Sequence, residues 1–407
     1  MSIIIALLVF SFIVFIHELG HFYFARQGGI AVEEFAIGMG PKLFGFKSKG
    51  TEWTIRLLPI GGFCRMLGED GIEEVKGKDV DEDEESQQSM INDELSGLGV
   101  SPEELTLAEV KEELSELEKD NEQPEGGAFF EQSVWVRIKA VFGGPLFNFI
   151  LALVFSFVLM ALSTITTTNV AYVAEDSPAE LAGVQVGDQM ISIDGHTLVR
   201  PREASIYINI PAGEPVDVEV ERETNNGTET FVYTITPDFV EVDETIPAEE
   251  SDNYYFIGVG YDSVESNFVN VIKYGTLEAL SWIKIVFYSL GLLVTGQVSG
   301  TALSGPVALV SEISSGYERS LTEGLKVVIA DLSFWVVLIS ANLGVMNLLP
   351  IPALDGGRLV FLVLEAIFKK PIAPEKEGFI HFVGFAFLMV LMVFVLYNDI
   401  MRLIGLG

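Results

Sequence analysis

Four stretches of the chain are apolar enough and long enough to predict helices that cross a membrane. A hydrocarbon core of about 30 Å needs about 20 apolar residues in a helix that rises 1.5 Å per residue. The four stretches cover residues 3–24, 141–163, 327–349 and 379–396. The pattern therefore predicts a polytopic α-helical membrane protein with about four transmembrane helices.

Residues 31–66 carry a strand pattern instead of a helical one. Glycines punctuate this segment, and apolar and polar side chains alternate in Trp53-Thr54-Ile55-Arg56-Leu57. Two interpretations stay open, namely a hairpin-like loop that dips into the membrane beside the first helix and a small sheet on the membrane surface. In the first case an unpaired strand edge could take up an extended peptide as a further strand.

Residues 165–268 have the composition of a soluble domain. A short helix that starts at Pro178 and stops at Gly183 precedes an alternating strand, and further strands fall in 216–220 and 230–236. This order resembles a PDZ domain, a module that binds extended peptides at a sheet edge. His196 is expected in an exposed loop of this domain. The apolar stretch 282–293 is short, so we expect residues 269–325 to form helices that lie on the membrane surface or partly in the membrane.

Composition supports a membrane protein and excludes some partners. The 407 residues are 49% hydrophobic, with a mean hydropathy of +0.40. A net charge of −34 argues against nucleic-acid binding, which needs basic side chains to neutralise phosphates. Cys64 is the single cysteine, which excludes an intramolecular disulfide framework and a metal site built from several cysteines.

Residues 69–127 form an acidic insert between the strand-rich segment and the second apolar helix. Ser101-Pro102-Glu103-Glu104 is a capping box with proline at the first helical position. Leucines and a valine follow at helical spacing, which predicts one amphipathic helix. It could dock a partner, or it could fold on the protein's own surface.

The first apolar helix contains the stretch His17-Glu18-Leu19-Gly20-His21. Residues four apart lie on one helical face, so His17 and His21 can present two imidazoles to one zinc ion. Glu18 then lies beside the metal, where it can take a proton from a coordinated water. A pair of surface histidines is the plainer interpretation, but ionisable groups in a spanning segment are expensive unless they line a cavity.

A second ionisable group lies where the third apolar helix is broken, in Pro350-Ile351-Pro352-Ala353-Leu354-Asp355-Gly356-Gly357. Non-helical backbone at membrane depth is tolerated where it is buried or lines a cavity. Asp355 can complete three zinc ligands and leave the fourth position for water. Asn148, in the second apolar helix, is either a substrate contact or an interhelical one. Asp331 and His381 are expected at the membrane interface.

Basic residues indicate the orientation. They cluster in the short segments around the first two helices and between the last two, which predicts that these segments are cytoplasmic. The N-terminus and the PDZ-like domain are then extracytoplasmic, and the zinc site lies near the cytoplasmic side.

The motifs HELGH, Gly-Pro-x-x-Asn and Asn-x-x-Pro-x-x-x-Leu-Asp-Gly, together with a PDZ-like domain, resemble the site-2 protease family of intramembrane zinc metalloproteases. The resemblance is close to the bacterial regulator-of-sigma-E-protease group. It implies helices with a membrane-associated β-loop and one inserted extracytoplasmic PDZ domain, in the bacterial inner membrane. The expected segments are 1–27 (first helix), 28–68 (β-rich loops), 69–127 (acidic insert), 128–164 (second helix), 165–268 (PDZ-like domain), 269–325 (surface helices), 326–368 (third helix and Asp355) and 369–407 (fourth helix).

The resemblance also implies roles and partners. His17, His21 and Asp355 would bind one zinc ion per chain, and Glu18 would be the general base. Asn148 and Asn347 would contact the substrate or the transition state. Substrates would be single-pass membrane proteins such as anti-sigma factors or signal-peptide remnants, and the PDZ-like domain would bind peptide termini. Some family members have two PDZ domains, and the acidic insert has no part in the shared pattern.

Two other function classes stay open from the sequence. A membrane-anchored peptide-binding adaptor could carry a vestigial zinc site, although His17, Glu18, His21 and Asp355 are all intact. A zinc enzyme acting on a non-peptide substrate would not need a peptide-binding domain or a strand-like loop.

Overall fold

The computed structural model describes residues 2–69, 125–225, 227–241, 254–297, 305–370 and 374–403. The helices are α1 (Ser2–Gln27), α2 (Val134–Leu162), α3 (Pro178–Ala182), α4 (Pro201–Asn209), α5 (Phe268–Thr295), α6 (Pro306–Glu323), α7 (Leu325–Leu348), α8 (Asp355–Phe368) and α9 (Pro374–Leu403). The strands are β1 (Val32–Ser48), β2 (Thr51–Met66), β3 (Ile165–Val173), β4 (Gln189–Ile193), β5 (His196–Thr197), β6 (Val216–Thr224), β7 (Gly227–Ile235), β8 (Asp238–Val240), β9 (Tyr254–Phe256) and β10 (Val259–Val264). The amphipathic helix predicted in the acidic insert lies outside these residues.

The chain divides into two compact units. One, here called the hairpin unit, comprises Val14–Leu146 and Asn347–Val390. The other, here called the sheet unit, comprises Met1–Ile13, Phe147–Met346 and Leu391–Gly407.

In the hairpin unit, β1 and β2 form a long antiparallel hairpin. Ser48 pairs with Thr51, so Lys49 and Gly50 make a two-residue turn with φ of 52° and 74°, as a type I′ turn requires. Phe35 pairs with both Trp53 and Cys64, so β2 bends and flanks β1 on both sides. Residues 62–66 therefore form an outer segment of this small sheet.

The hairpin packs on α1 through aromatic side chains. The ring centroid of Phe22 lies 5.0 Å from that of Trp53 and 5.5 Å from that of Phe35, both edge to face. On α1, Gly20 meets Gly143 of α2 so closely that a Cβ on either residue would overlap the other's backbone. Small residues thus let α1 and α2 cross at backbone contact.

In the sheet unit, β10, β3, β4, β6 and β7 form one sheet in that order, with β5 on β4. The predicted short helix from Pro178 and the predicted strands at 216–220 and 230–236 correspond to α3, β6 and β7. Ser177 caps α3, Pro178 starts it and Gly183 ends it with φ 104°. The assignment to the PDZ class stays a prediction. The core of this sheet is apolar, and its largest fully buried side chains are Tyr207, Met190, Ile193 and Ile235.

Within the described residues, five helices are long and apolar enough to cross a membrane, namely α1, α2, α5, α7 and most of α9. The expectation was about four. The additional candidate is α5, a continuous helix of 28 residues that Asn267 caps at its start and Gly296 ends. The structure therefore continues this helix well beyond the apolar stretch 282–293. The number of spans stays a prediction.

The charged residues of α5 explain why its apolar stretch is short in the sequence. Glu278 is fully buried, and its carboxylate is paired with Arg200 at 2.9 Å and with Arg202 at 2.6 Å. Lys284 pairs at 2.8 Å with the buried Glu203 of α4. These charges shorten the apolar stretch that the sequence shows, but in the structure they face partners on and before α4.

Candidate metal centre

The centre lies in the hairpin unit and begins with two histidines of α1. His17 and His21 are one helical turn apart, and both side chains are buried. Their Nε2 atoms lie 3.2 Å apart. Helix α1, which packs against the hairpin and α2, thus presents two imidazole nitrogens to one point.

The third group comes from a break between two helices. α7 ends at Leu348, the intervening residues include Pro350 and Pro352, and Asp355 is the first residue of α8. Asp355 Oδ2 lies 3.2 Å from His17 Nε2 and 3.4 Å from His21 Nε2. Prolines prevent α7 from continuing, and the turn they create aims the carboxylate at the two rings.

These three atoms have the spacing of a tetrahedral zinc site. With zinc–ligand bonds of about 2.05 Å, two ligands of a tetrahedral ion lie about 3.3 Å apart. The three observed separations are 3.2, 3.2 and 3.4 Å. Asp355 Oδ2 is buried, and no hydrogen bond satisfies it within the described residues. In the described part of the chain, His17, His21 and Asp355 are the group of side chains that could hold a metal ion.

Helix α2 fixes the orientation of the second histidine. His21 Nδ1 lies 2.9 Å from the carbonyl oxygen of Ala140, a spacing at which a protonated Nδ1 donates to that oxygen. Donation from Nδ1 leaves the lone pair on Nε2, the atom that faces His17 and Asp355. The sequence carried no signal for this contact, because every residue has a carbonyl oxygen.

Gly144 of α2 forms the wall of the centre. A Cβ on Gly144 would overlap Nε2 of His21 and Cε1 of both imidazole rings. Its neighbour Gly143 serves the close packing of α2 against α1. Gly144 itself leaves the space in front of the two histidines.

Glu18 and Asn347 lie next to the three converging groups. A Cβ on Gly62, in the outer segment of the hairpin sheet, would lie 3.6 Å from Cγ of Glu18. Asn347 Nδ2 lies 3.4 Å from His17 Nε2. Asn148 is fully buried on α2 in the sheet unit, four residues after Gly144. The structure therefore gathers five of the six candidate residues in one unit.

Ion pairs brace α8, the helix that carries Asp355. Arg137 of α2 pairs with Glu365, and Arg358 pairs with Glu69 at the end of the hairpin. Sequence reasoning missed these pairs, since partners so far apart in the chain share no local pattern.

Cys64 lies close to this centre but does not supply a ligand. Burial raises the pKa of its thiol, and the negative charges of Glu18 and Glu69 raise it further. Within the described residues, the ligand atoms that converge are one nitrogen each of His17 and His21 and an oxygen of Asp355.

A comparison with protein families decides the affiliation of the chain. The model of Peptidase family M50 matches residues 5–391. The chain belongs to Peptidase family M50. This confirms the resemblance to the site-2 proteases, and the protein is a metalloprotease.

Full-length relatives agree with the M50 assignment. The "Zinc metalloprotease RasP" of Geobacillus kaustophilus is 35% identical over 433 residues, which cover 98% of each chain. The "Regulator of sigma-W protease RasP" of Bacillus subtilis is 34% identical over 437 residues, or 99% of each chain. The "Probable protease eep" of Enterococcus faecalis is 34% identical over 438 residues. Relatives with different names thus align with nearly the whole length of this chain.

Proposed function

We propose that this M50 peptidase is an intramembrane zinc endopeptidase that cleaves single-pass membrane proteins by regulated intramembrane proteolysis. The convergence of His17, His21 and Asp355 at the edge lengths of a tetrahedral zinc site carries the proposal. One zinc ion per chain fits this geometry. When bound, the ion lowers the pKa of a coordinated water to about 7 and polarises the scissile carbonyl group.

Glu18 acts as the general base. It follows His17 directly on α1, so its carboxylate can take a proton from the attacking water and later give it to the leaving amine. Asn347, beside His17, donates from its amide to the substrate carbonyl. Asn148 is proposed to contact the substrate from α2.

The hairpin sheet holds the substrate. A peptide bond inside a transmembrane helix is hydrogen-bonded and shielded, so the substrate must be unwound before hydrolysis. Residues 62–66 pair with β1 on one side, and Gly62 lies beside Glu18. An extended substrate that adds to this outer segment would place its backbone next to the base.

Residues 165–268 are proposed to be the PDZ-like domain, which binds peptide termini on the extracytoplasmic side of the bacterial inner membrane. The outer position of β10 in the sheet is compatible with peptide addition there. The Bacillus subtilis relative is named "Regulator of sigma-W protease RasP". From that name we infer that anti-sigma factors are one substrate class of this protein. Signal-peptide remnants are the second class.

Reconstitution with a model single-pass substrate tests the function. Glu18→Gln should keep its zinc and lose cleavage by about 10²–10⁴-fold, the range that a general base supplies. Glu323→Gln, at an exposed position of α6, is the matched control and should cleave normally. Full cleavage by Glu18→Gln with zinc bound would contradict the assignment. Wild-type protein that bound peptide termini without cleaving the substrate would instead support the hypothesis of a membrane-anchored peptide-binding adaptor.

A further inference from the structure

The turn that leads into Asp355 contains a strained residue. Ala353 has φ 75°, in the left-handed region that alanine rarely adopts. Such a conformation costs about 1–3 kcal/mol and persists where surrounding contacts impose it. Leu354 and Asp355 follow directly, so the direction of the Asp355 side chain depends on this turn being held.

His381 of α9 supplies the contact that holds it. The Ala353 backbone N–H donates to Nδ1 of His381 over 2.8 Å. The His381 ring also lies edge to face against Phe361 of α8, with centroids 5.7 Å apart. His381 therefore touches the turn before Asp355 and the helix after it.

The hydrogen bond fixes the tautomer of His381. An Nδ1 that accepts a proton carries none itself, so a neutral ring has its proton on Nε2. Nε2 lies 3.9 Å from a carboxylate oxygen of Glu377, one turn earlier on α9. This arrangement leaves Nδ1 available as an acceptor for the backbone.

A second residue of α9 presses on the same turn. A Cβ on Gly384 would overlap Cβ and the carbonyl oxygen of Pro352. Gly384 lies three residues after His381, so both face the turn from the same side of the helix. Glycine is needed here because the backbone of α9 lies directly against the proline.

We propose that His381 and Gly384 form a brace that sets the position of Asp355, and that His381 is a positioning residue for the metal site. The proposal rests on the proposed role of Asp355 as a zinc ligand. Sequence reasoning expected His381 at the membrane interface and gave it no part in the site. A ligand displaced by about 1 Å no longer fits the tetrahedral edges, so loss of the brace should weaken zinc binding.

The test measures zinc affinity of the full-length protein in detergent, by competition with a chromophoric chelator. His381→Leu removes the acceptor and should weaken zinc binding about 10–100-fold, as the loss of a supporting contact does at other metal sites. His381→Asn keeps an acceptor oxygen near the position of Nδ1 and should bind within a few-fold of wild type. The visible absorption of the cobalt-substituted protein should change in His381→Leu and stay unchanged in His381→Asn.

Ala353→Gly tests whether the positive φ of Ala353 is what makes its hydrogen bond to His381 necessary. Glycine adopts positive φ without cost, so the turn no longer needs the hydrogen bond. In the His381→Leu background, Ala353→Gly should recover most of the lost zinc affinity. In the wild type, the same substitution should change it by less than about three-fold.

Two glycines of α9 give a matched pair for the second contact. Gly384→Ala should weaken zinc binding, whereas Gly378→Ala should not, because a Cβ on Gly378 meets nothing within 4 Å. The proposal would be overturned if Gly384→Ala, Gly378→Ala and His381→Leu all bound zinc with the same affinity. Equal losses in His381→Leu and His381→Asn would also overturn it.

Asp355→Ala, measured in parallel, separates this inference from the proposed function. If Asp355→Ala binds zinc like wild type, the ligand assignment fails and the brace fails with it. If Asp355→Ala loses zinc while His381→Leu keeps it, the brace alone fails.

Discussion

Both units bury ionisable side chains on apolar helices, but they arrange them in opposite ways. In the sheet unit, Glu278 of α5 is fully buried and lies between two arginines, and the buried Glu203 is paired with Lys284. In the hairpin unit, His17, His21 and Asp355 turn three acceptor atoms towards one another. Each carboxylate of the first cluster is ion-paired with a cationic side chain, whereas the three atoms of the second have the spacing of zinc ligands.

This difference separates a structural cluster from a functional one. Buried charges are retained in proteins when they are paired, and the arginines of the sheet unit provide that pairing. Asp355 Oδ2 is buried without a hydrogen bond and has two imidazole nitrogens within 3.4 Å, an arrangement that fits a ligand of a metal ion. Buried ionisable residues therefore indicate a fixed helix contact in one unit and a candidate ligand site in the other.

The largest effect should come from filling the space in front of the histidines. Gly144→Ala places a methyl group on Nε2 of His21, so zinc content and cleavage should both fall below detection. Gly291→Ala on α5 is the control, since its Cβ would meet nothing within 4 Å. Elemental analysis and cleavage assays provide the readout, and a Gly144→Ala protein with full zinc would contradict the geometry.

The next largest effect concerns the ion-paired cluster around Glu278. Glu278→Gln leaves the buried Arg200 and the partly exposed Arg202 without a full counter-charge, which should cost about 3–5 kcal/mol of stability. Thermal unfolding in detergent should show a lower Tm than for the exposed control Glu323→Gln. Zinc content should stay at the wild-type value, and its loss would mean that the two clusters are not independent.

A smaller effect depends on pH and tests the hairpin. Burial alone would raise the pKa of Glu34, but hydrogen bonds from Thr54 and Arg56 and the charges of Arg56 and Arg65 outweigh it, so the pKa lies below its usual value. A depressed folded-state pKa contributes stability above the ordinary glutamate pKa of about 4.3, and that stability is lost as pH falls. The Tm difference between wild type and Glu34→Gln should therefore be present at pH 7 and shrink below about pH 4. A difference that grew on acidification would reverse the sign and refute the assignment.

The smallest effect concerns a helix cap in the sheet unit. The Ser177 hydroxyl accepts a hydrogen bond from the Glu180 backbone N–H, and Ser177→Ala should cost about 1 kcal/mol. Ser205→Ala, at an exposed position of α4, is the control. Chemical denaturation should register the first substitution and not the second, with zinc content unchanged in both. A change in zinc content would again link the two units.

Local patterns predicted a large part of this molecule. The spacing of His17 and His21 follows from helix geometry, and Pro178 and Gly183 delimit α3 through their backbone preferences. Asp355 was predictable because prolines and glycines around an acidic residue are unusual at membrane depth. These inferences need only the residues themselves and their immediate neighbours.

Contacts between distant segments could not be predicted in this way. The full length of α5 was hidden because the partners of Glu278 and Lys284 lie more than 70 residues before those two residues in the chain. The proposed positioning role of His381 depends on a backbone N–H in the turn before Asp355. Almost any residue could supply such a group, so the sequence gives no signal for it. The bend of β2 around both sides of β1 left no trace in the alternation of its side chains.

The most direct test of the central claim is the zinc content of purified wild type, Asp355→Ala and Asp331→Ala by elemental analysis. The wild type and Asp331→Ala, whose substitution lies on α7 in the sheet unit, should carry about one zinc ion per chain. Asp355→Ala should carry far less and should lose cleavage with it. Wild-type zinc content and cleavage in Asp355→Ala would mean that the three atoms do not form one metal site.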